Sequence, residues 1–392
     1  MERASHRTHL HLCANILDPL CGAPPGRSPV SGSPGDDRGC CLAVVALRPW
    51  AARSVAPAAG ASPGMADAGW SVLRTTGDPP HVRGGHTATL VEKNLLILGG
   101  VHHKGAGKFE YFTLDPTVLN TETLAWFRPR VAVGKGPPGR AYHTTTRVGT
   151  ALFVFGGQCS RGGDTSTGLL SDMPVFDLVR MCWETRDVRG TQPRARYWHT
   201  AELIEGKLFI IGGFDGTKSL KDVHVLDVET QMWSTPKCTG DPLPGLAQHT
   251  ATIVGQRLYV FGGMEISQDD DGMSYNKYQQ DVMVLDTERM DWQRLRRRGM
   301  QPSGRGYHTT NLVGGYLIVI GGWGAGAVGL GEVSTLDIDG LGSWYTVEVP
   351  GQSPPSVYGH SATLIGSKVV LFGGWDGVSP LNAVHVLDTA KL

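Results

Sequence analysis

The chain has 392 residues, with 36 Lys and Arg balanced by 36 Asp and Glu, so its formal net charge is zero. That balance leaves no domain-wide basic field to gather phosphates and argues against a general nucleic-acid binder. No apolar run reaches the roughly 18 residues of a membrane-spanning helix, so no membrane association is expected. Glycine is abundant at 54 residues while charged residues make up only 18%, a balance that suits many short strands joined by turns.

Residues 1–64 differ from the rest. They hold six arginines, no lysine, four of the seven cysteines and many Pro, Ala, Gly and Ser. The apolar stretch from Cys40 to Leu47 is too short to cross a membrane and too far along to be the core of a signal peptide. An Arg-rich transit peptide is opposed by four acidic residues, and the segment reads as a disordered extension. Met65, followed by ADAGW, is a second plausible start. Cys159, Cys182 and Cys238 are far apart and no CxxC pair occurs, which fits a reducing compartment, the cytoplasm or nucleus.

From residue 65 onward the sequence repeats. Six histidines, His86, His143, His199, His249, His308 and His360, each stand 13 residues before a Gly-Gly doublet beginning at Gly99, Gly156, Gly212, Gly262, Gly321 and Gly373. Between histidine and doublet lie a strand, a polar turn and a second strand, as in HTATLVEKNLLILGG. The second strand is continuously apolar (LLIL, LFVF, LFII, LYVF, LIVI, VVLF), the pattern of a strand buried on both faces. A third strand then ends at Asn120, Asp177, Asp227, Asp286, Asp337 or Asp388, residues that form turns by bonding their own downstream backbone. A tryptophan follows in a fourth strand: Trp126, Trp183, Trp233, Trp292 and Trp344. The next histidine comes 16 or 17 residues later.

The sixth repeat stops at Leu392 without its tryptophan strand, while Trp70 lies 16 residues before His86 with no strands ahead of it. Residues 65–392 are therefore expected to form an all-β, six-bladed β-propeller, closed by pairing the segment from Trp70 to Arg74 with the last blade.

The doublets, acidic turns and spaced tryptophans resemble kelch repeats. So does the G-x-x-P-x-x-R-x-x-H lead-in, clearest in GTQPRARYWH and GMQPSGRGYH. A WD40 propeller does not fit, because the one Trp-Asp pair, Trp375-Asp376, follows a doublet instead of ending a strand. The resemblance implies a protein-interaction platform, a scaffold or a substrate receptor, with no BTB or F-box module visible and so no visible ubiquitin-ligase link. The alternative is a kelch-fold enzyme acting on a metal or carbohydrate substrate.

The chemistry-bearing residues favour the first reading, with no enzyme activity and no cofactor or metal expected. The six histidines sit around a ring at the start of innermost strands, where each can bond neighbouring backbone, and cannot all reach one ion at about 2 Å. Asp269, Asp270 and Asp271 fail the calcium-loop pattern, because Tyr278 occupies the bidentate glutamate position. Glu265 and Asp269 match two positions of a plant specifier iron site, but Met273 replaces its histidine. The basic run Arg296, Arg297 and Arg298 reads as a solvated strand end. The loops joining strands 2 and 3, and those joining strand 4 to the next blade, should share one face. That face gathers Arg83, Arg140, Arg196 and Arg305 with Tyr142, Trp198, Phe214, Tyr307, Trp323, Tyr358 and Trp375, types enriched at interface hot spots. Four arginines predict a partner segment carrying acidic residues.

Overall fold

In the computed structural model the described residues are 69–391, apart from 105–107, 133–135, 162–166, 269–273, 297, 327 and 341. The expected extension 1–64 and the acidic stretch Asp269–Asp271 lie outside the described residues. Within them are six sheets that each hold the predicted four antiparallel strands, four of them with a short fifth strand added in parallel at the outer edge. The first runs from innermost to outer strand as Thr87–Val91, Asn94–Leu98, Thr117–Asn120 and Ala125–Phe127.

The sixth sheet holds Ser361–Ile365, Lys368–Phe372 and Val384–Asp388, and its fourth strand is Trp70–Val72, paired antiparallel with Trp70 opposite Leu387. Trp70 is buried among Ile318, Val333, Val369 and Leu371, so this strand joins the core between the fifth and sixth blades. Strand pairing ends at Val72, two residues short of the expected Arg74.

The second strands are buried almost end to end, as their unbroken apolar runs require, because each packs against a neighbouring blade. Leu95, Ile97 and Trp126 of blade one meet Val370, Phe372 and Val386 of blade six in one cluster. The acidic turn residues act as expected. Asp177 Oδ1 accepts from the amides of Val179 and Arg180, and Asn120 Oδ1 from those of Glu122 and Thr123.

Three series of hydrogen bonds join consecutive blades, and each returns to its start. In the first, the second glycine of each doublet donates its amide to the carbonyl at the motif-arginine position of the next blade: Gly100 to Arg140, Gly157 to Arg196, Gly213 to Leu246, Gly263 to Arg305, Gly322 to Val357 and Gly374 to Arg83. A Cβ on Gly99 would lie 2.5 Å from the Arg140 carbonyl oxygen and 2.7 Å from the His143 ring, so the first glycine is what admits the neighbouring blade. The lead-in glycine has a separate task. It forms a short parallel edge on the next outer strand, as in Thr239–Gly240 beside Asp291–Trp292, where a Cβ would lie 2.1 Å from the Trp292 carbonyl oxygen.

Candidate partner-binding face

The second series links the residues just before the histidines. Tyr142 donates to Gly85, Trp198 to Tyr142, Gln248 to Trp198, Tyr307 to Gln248, Gly359 to Tyr307 and Gly85 to Gly359, over 2.7–3.2 Å. All six residues have φ between 58° and 64°. Glycine adopts that conformation freely, but Tyr142, Trp198, Gln248 and Tyr307 do so at a cost of order 1 kcal/mol each. The geometry turns three aromatic rings toward the axis, where Tyr142, Trp198 and Tyr307 stand 5.5–6.1 Å apart between centroids. They plug the mouth above a cavity of about 180 Å³ that the six histidines line.

The third series holds those histidines. Each Nε2 bonds a hydroxyl at the start of the preceding blade: His86 with Ser361, His143 with Thr87, His199 with Thr144, His249 with Thr200, His308 with Thr250 and His360 with Thr309. The expected backbone partner is thus a side-chain hydroxyl of the adjacent blade. Burial lowers every one of these imidazoles, His143 and His360 to about 3 and His249 to about 4. The ring is neutral at physiological pH and serves as an inter-blade clamp.

The motif arginines require a correction. Arg140, Arg196 and Arg305 are 0% exposed, and Arg83 is also buried. Each donates Nη1 to the carbonyl of its own blade's first doublet glycine, at 2.7–3.1 Å. Arg140 and Arg196 form two-pronged pairs with Asp172 and Asp222 at 2.6–2.9 Å, and Arg305 pairs with Glu332. Burial would by itself raise the Asp222 carboxyl, but Arg196 and His224 hold it well below the usual range. Arg83 instead stacks over Phe112 at 4.0 Å, with no carboxylate in ion-pair range among the described residues, and burial, then Arg128, lower it to about 10. These guanidinium groups hold the loops, buried and bonded within their own blades, where the sequence suggested an exposed ring for an acidic partner.

The aromatics divide. Phe214 is 4% exposed, meets Tyr197 edge-on and belongs to the interior, whereas Trp198, 6% exposed and tilted against Tyr197, is the most buried ring of the axial plug. Tyr142, Tyr307, Tyr358, Trp323 and Trp375 are half-buried and share the mouth. Trp323 lies 4.7 Å from Tyr358, whose backbone pairs with that of Trp375. Trp375 then meets His103 at 6.2 Å, and His103 meets Phe109 at 4.9 Å. An aromatic arc thus crosses blades five, six and one. Sequence reasoning missed His103, Phe109 and, beside Trp375, Val378, which is 93% exposed at its loop tip. The signal for Val378 was an apolar residue inside the turn sequence DGVS, where the neighbours make the turn. Hairpins rise from the strand 2–3 loops of blades one, two and four: Val101–His103 with Phe109–Tyr111, Gln158–Ser160 with Thr167–Leu169, and Met264–Gln268 with Ser274–Tyr278.

Comparison with known proteins agrees with this architecture. The host cell factor of Drosophila melanogaster is 26% identical over 78% of this chain and 17% of its own length. Kelch domain-containing protein 3 of Bos taurus is 31% identical over 37% of each chain, and acyl-CoA-binding domain-containing protein 5 of Arabidopsis thaliana is 34% identical over 37% of this chain and 20% of its own. The match thus spans about a fifth of the length of two of these relatives and just over a third of the other. The profile of the KLHDC2/KLHL20/DRC7 kelch-repeats domain matches residues 64–263 and 142–374, and with the six doublet-bearing sheets this makes the chain a member of the kelch-repeat family.

Proposed function

We propose that this propeller is a non-enzymatic protein-interaction module, acting as a scaffold or substrate receptor in the cytoplasm, and that a partner segment docks across blades five, six and one. The observation that carries the reading is the arc from Trp323 through Tyr358, Trp375 and His103 to Phe109, flanked by the exposed Val378. Half-exposed aromatics on rigid strand ends offer apolar area at little entropic cost, which is the composition of interface hot spots. The hairpins of blades one, two and four stand as walls, and the Tyr142–Trp198–Tyr307 plug forms a floor. Acidic residues in the partner are no longer required, because the motif arginines are already bonded within the blades. Apolar or aromatic partner side chains fit this face better.

The test begins with affinity capture and mass spectrometry to identify the partner. Trp323→Ala with Trp375→Ala should then weaken its binding about 30-fold or more, the equivalent of a hot-spot loss of about 2 kcal/mol. Lys207→Ala with Lys368→Ala, in the strand 1–2 turns of the opposite face, should bind as the parent does. Loss of binding in the lysine variant alone, with both proteins folded, reverses the assignment of the face.

A further inference from the structure

A groove of about 450 Å³ lies between the outer strand of blade four, Asp291–Arg294 with its continuation, and the strand 3–4 turn of blade five around Gly340. Four arginines line it: Arg257, Arg294, Arg296 and Arg298. Apolar surface comes from Leu295 and Ile338, with the buried Tyr259 and Val284 behind them. Arg294 has Asp281 at 3.2 Å, but among the described residues Arg257, Arg296 and Arg298 have no carboxylate within ion-pair range. Asp286, paired in register with Arg257, is held by the amides of Glu288 and Arg289. The contrast with the mouth is chemical. There every motif arginine is buried and bonded, whereas Arg257, Arg296 and Arg298 are exposed around an open, partly apolar trough.

We infer that this groove is a second docking site, distinct from the mouth, for an extended acidic protein segment that alternates carboxylates with an apolar residue. Guanidinium groups favour carboxylates through two-pronged, charge-assisted bonds. The Leu295 and Ile338 surface gives an intervening apolar side chain somewhere to rest. A protein segment fits better than a nucleic acid because, among the described residues, no run of exposed aromatics lines the groove to stack bases. The sequence separates these residues: Arg257 opens the second strand of blade four, while Arg298 begins the lead-in strand beside blade five, opposite Ser343. Only the fold joins them.

The test uses the full chain and fluorescence anisotropy of three labelled probes: a peptide of three Glu-Glu-Leu repeats, its Lys-Lys-Leu counterpart, and an oligothymidylate of equal length. The acidic peptide should bind saturably and weaken severalfold between about 50 and 200 mM salt. Arg296→Glu with Arg298→Glu should weaken it by about tenfold or more and gain binding of the Lys-Lys-Leu peptide, a gain that an unfolded variant could not give. Arg296→Lys with Arg298→Lys should fall between, since charge remains but the fork is lost. Trp375→Ala should leave the acidic peptide unaffected. The inference is overturned by absence of saturable binding, by equal binding to the Glu variant, by loss on Trp375→Ala, or by oligothymidylate binding as tightly and failing in the same variant.

Discussion

Replacing Arg196 with alanine decides whether the motif arginines bind a partner or hold the blade. The substitution removes two bonds to Asp222 at 2.6 and 2.9 Å, one to the Gly212 carbonyl at 2.7 Å and one to the Arg194 carbonyl at 3.1 Å. Removing one partner of a buried ion pair typically costs about 3–5 kcal/mol, because the other charge stays uncompensated. Asp222 keeps 30% of its side-chain surface and a bond to His224, so water and the imidazole offset part of that loss, leaving about 2–4 kcal/mol. With an unfolding entropy of about 2.1 cal/mol/K per residue over roughly 320 residues, 3 kcal/mol corresponds to a Tm lowered by about 4–5 °C. Circular dichroism melting checks this. Arg196→Val combined with Asp222→Ala should recover more than half of the loss, since nothing charged is then left unpaired. A single variant that melts within about 1 °C of the parent yet fails to bind the captured partner refutes the structural role. So does a double variant as unstable as the sum of its parts.

The remaining predictions follow from the same contacts. Removing residues 1–68 should leave melting almost unchanged, whereas removing 1–76 strips the Trp70 ladder from the last sheet; similar melting of the two by calorimetry contradicts that role of the strand. Gly240→Ala should lower Tm by several degrees, because φ is +83° and the new Cβ meets the Trp292 carbonyl oxygen; an unchanged melt shows that the lead-in glycine is dispensable. Burial raises Glu202, on the innermost strand of blade three, from 4.5 to about 8. The folded state then binds this proton more tightly than the unfolded one, so its contribution is present at acid pH and is lost as pH rises from about 4.5 to about 8. Glu202→Gln should therefore gain stability relative to the parent across that window, and a pH-independent difference in chemical denaturation midpoints contradicts the assignment.

What the sequence made legible is what repetition imposes. Strand order, the buried second strands, the Asp turns and the pairing of Trp70 with the last blade all follow from period and spacing, because six copies average out local ambiguity. The functional face was less legible, since residue type does not reveal burial. Arg196 and Arg298 read alike in sequence, yet one is 0% exposed and bonded to Asp222 while the other is exposed on the rim of a groove. The acid that pairs with Arg140, Arg196 and Arg305 was visible in principle. It stands immediately before the third strand, as Asp222 before Val223 and Glu332 before Val333, or shortly before it, as Asp172 before Pro174. The arginine and the acid taken as one pair place the guanidinium inside, with the carboxylate at its edge.

Blades four and six show how that pair is lost without leaving a charge stranded. Blade six has Val357 at the arginine position and Ala383 immediately before its third strand, so both partners are absent together. Blade four has Leu246 there and keeps Asp281, whose carboxylate is taken by Arg294 at 3.2 Å. Both substitutions obey the asymmetry that removing two partners costs little while orphaning one costs much. The backbone bonds at these positions persist, because Gly213 still donates to Leu246 and Gly322 to Val357. The backbone ring therefore persists without the motif arginine, and blades four and six carry an apolar side chain at that position where the acid is absent or bonded to another arginine. In blade four that change recruits Arg294 to Asp281, and Arg294 also lines the arginine groove. Asp281→Ala should thus leave Arg294 uncompensated and tighten binding of the Glu-Glu-Leu peptide by severalfold. Weaker binding would mean that Asp281 positions Arg294 for the peptide and does not compete with it.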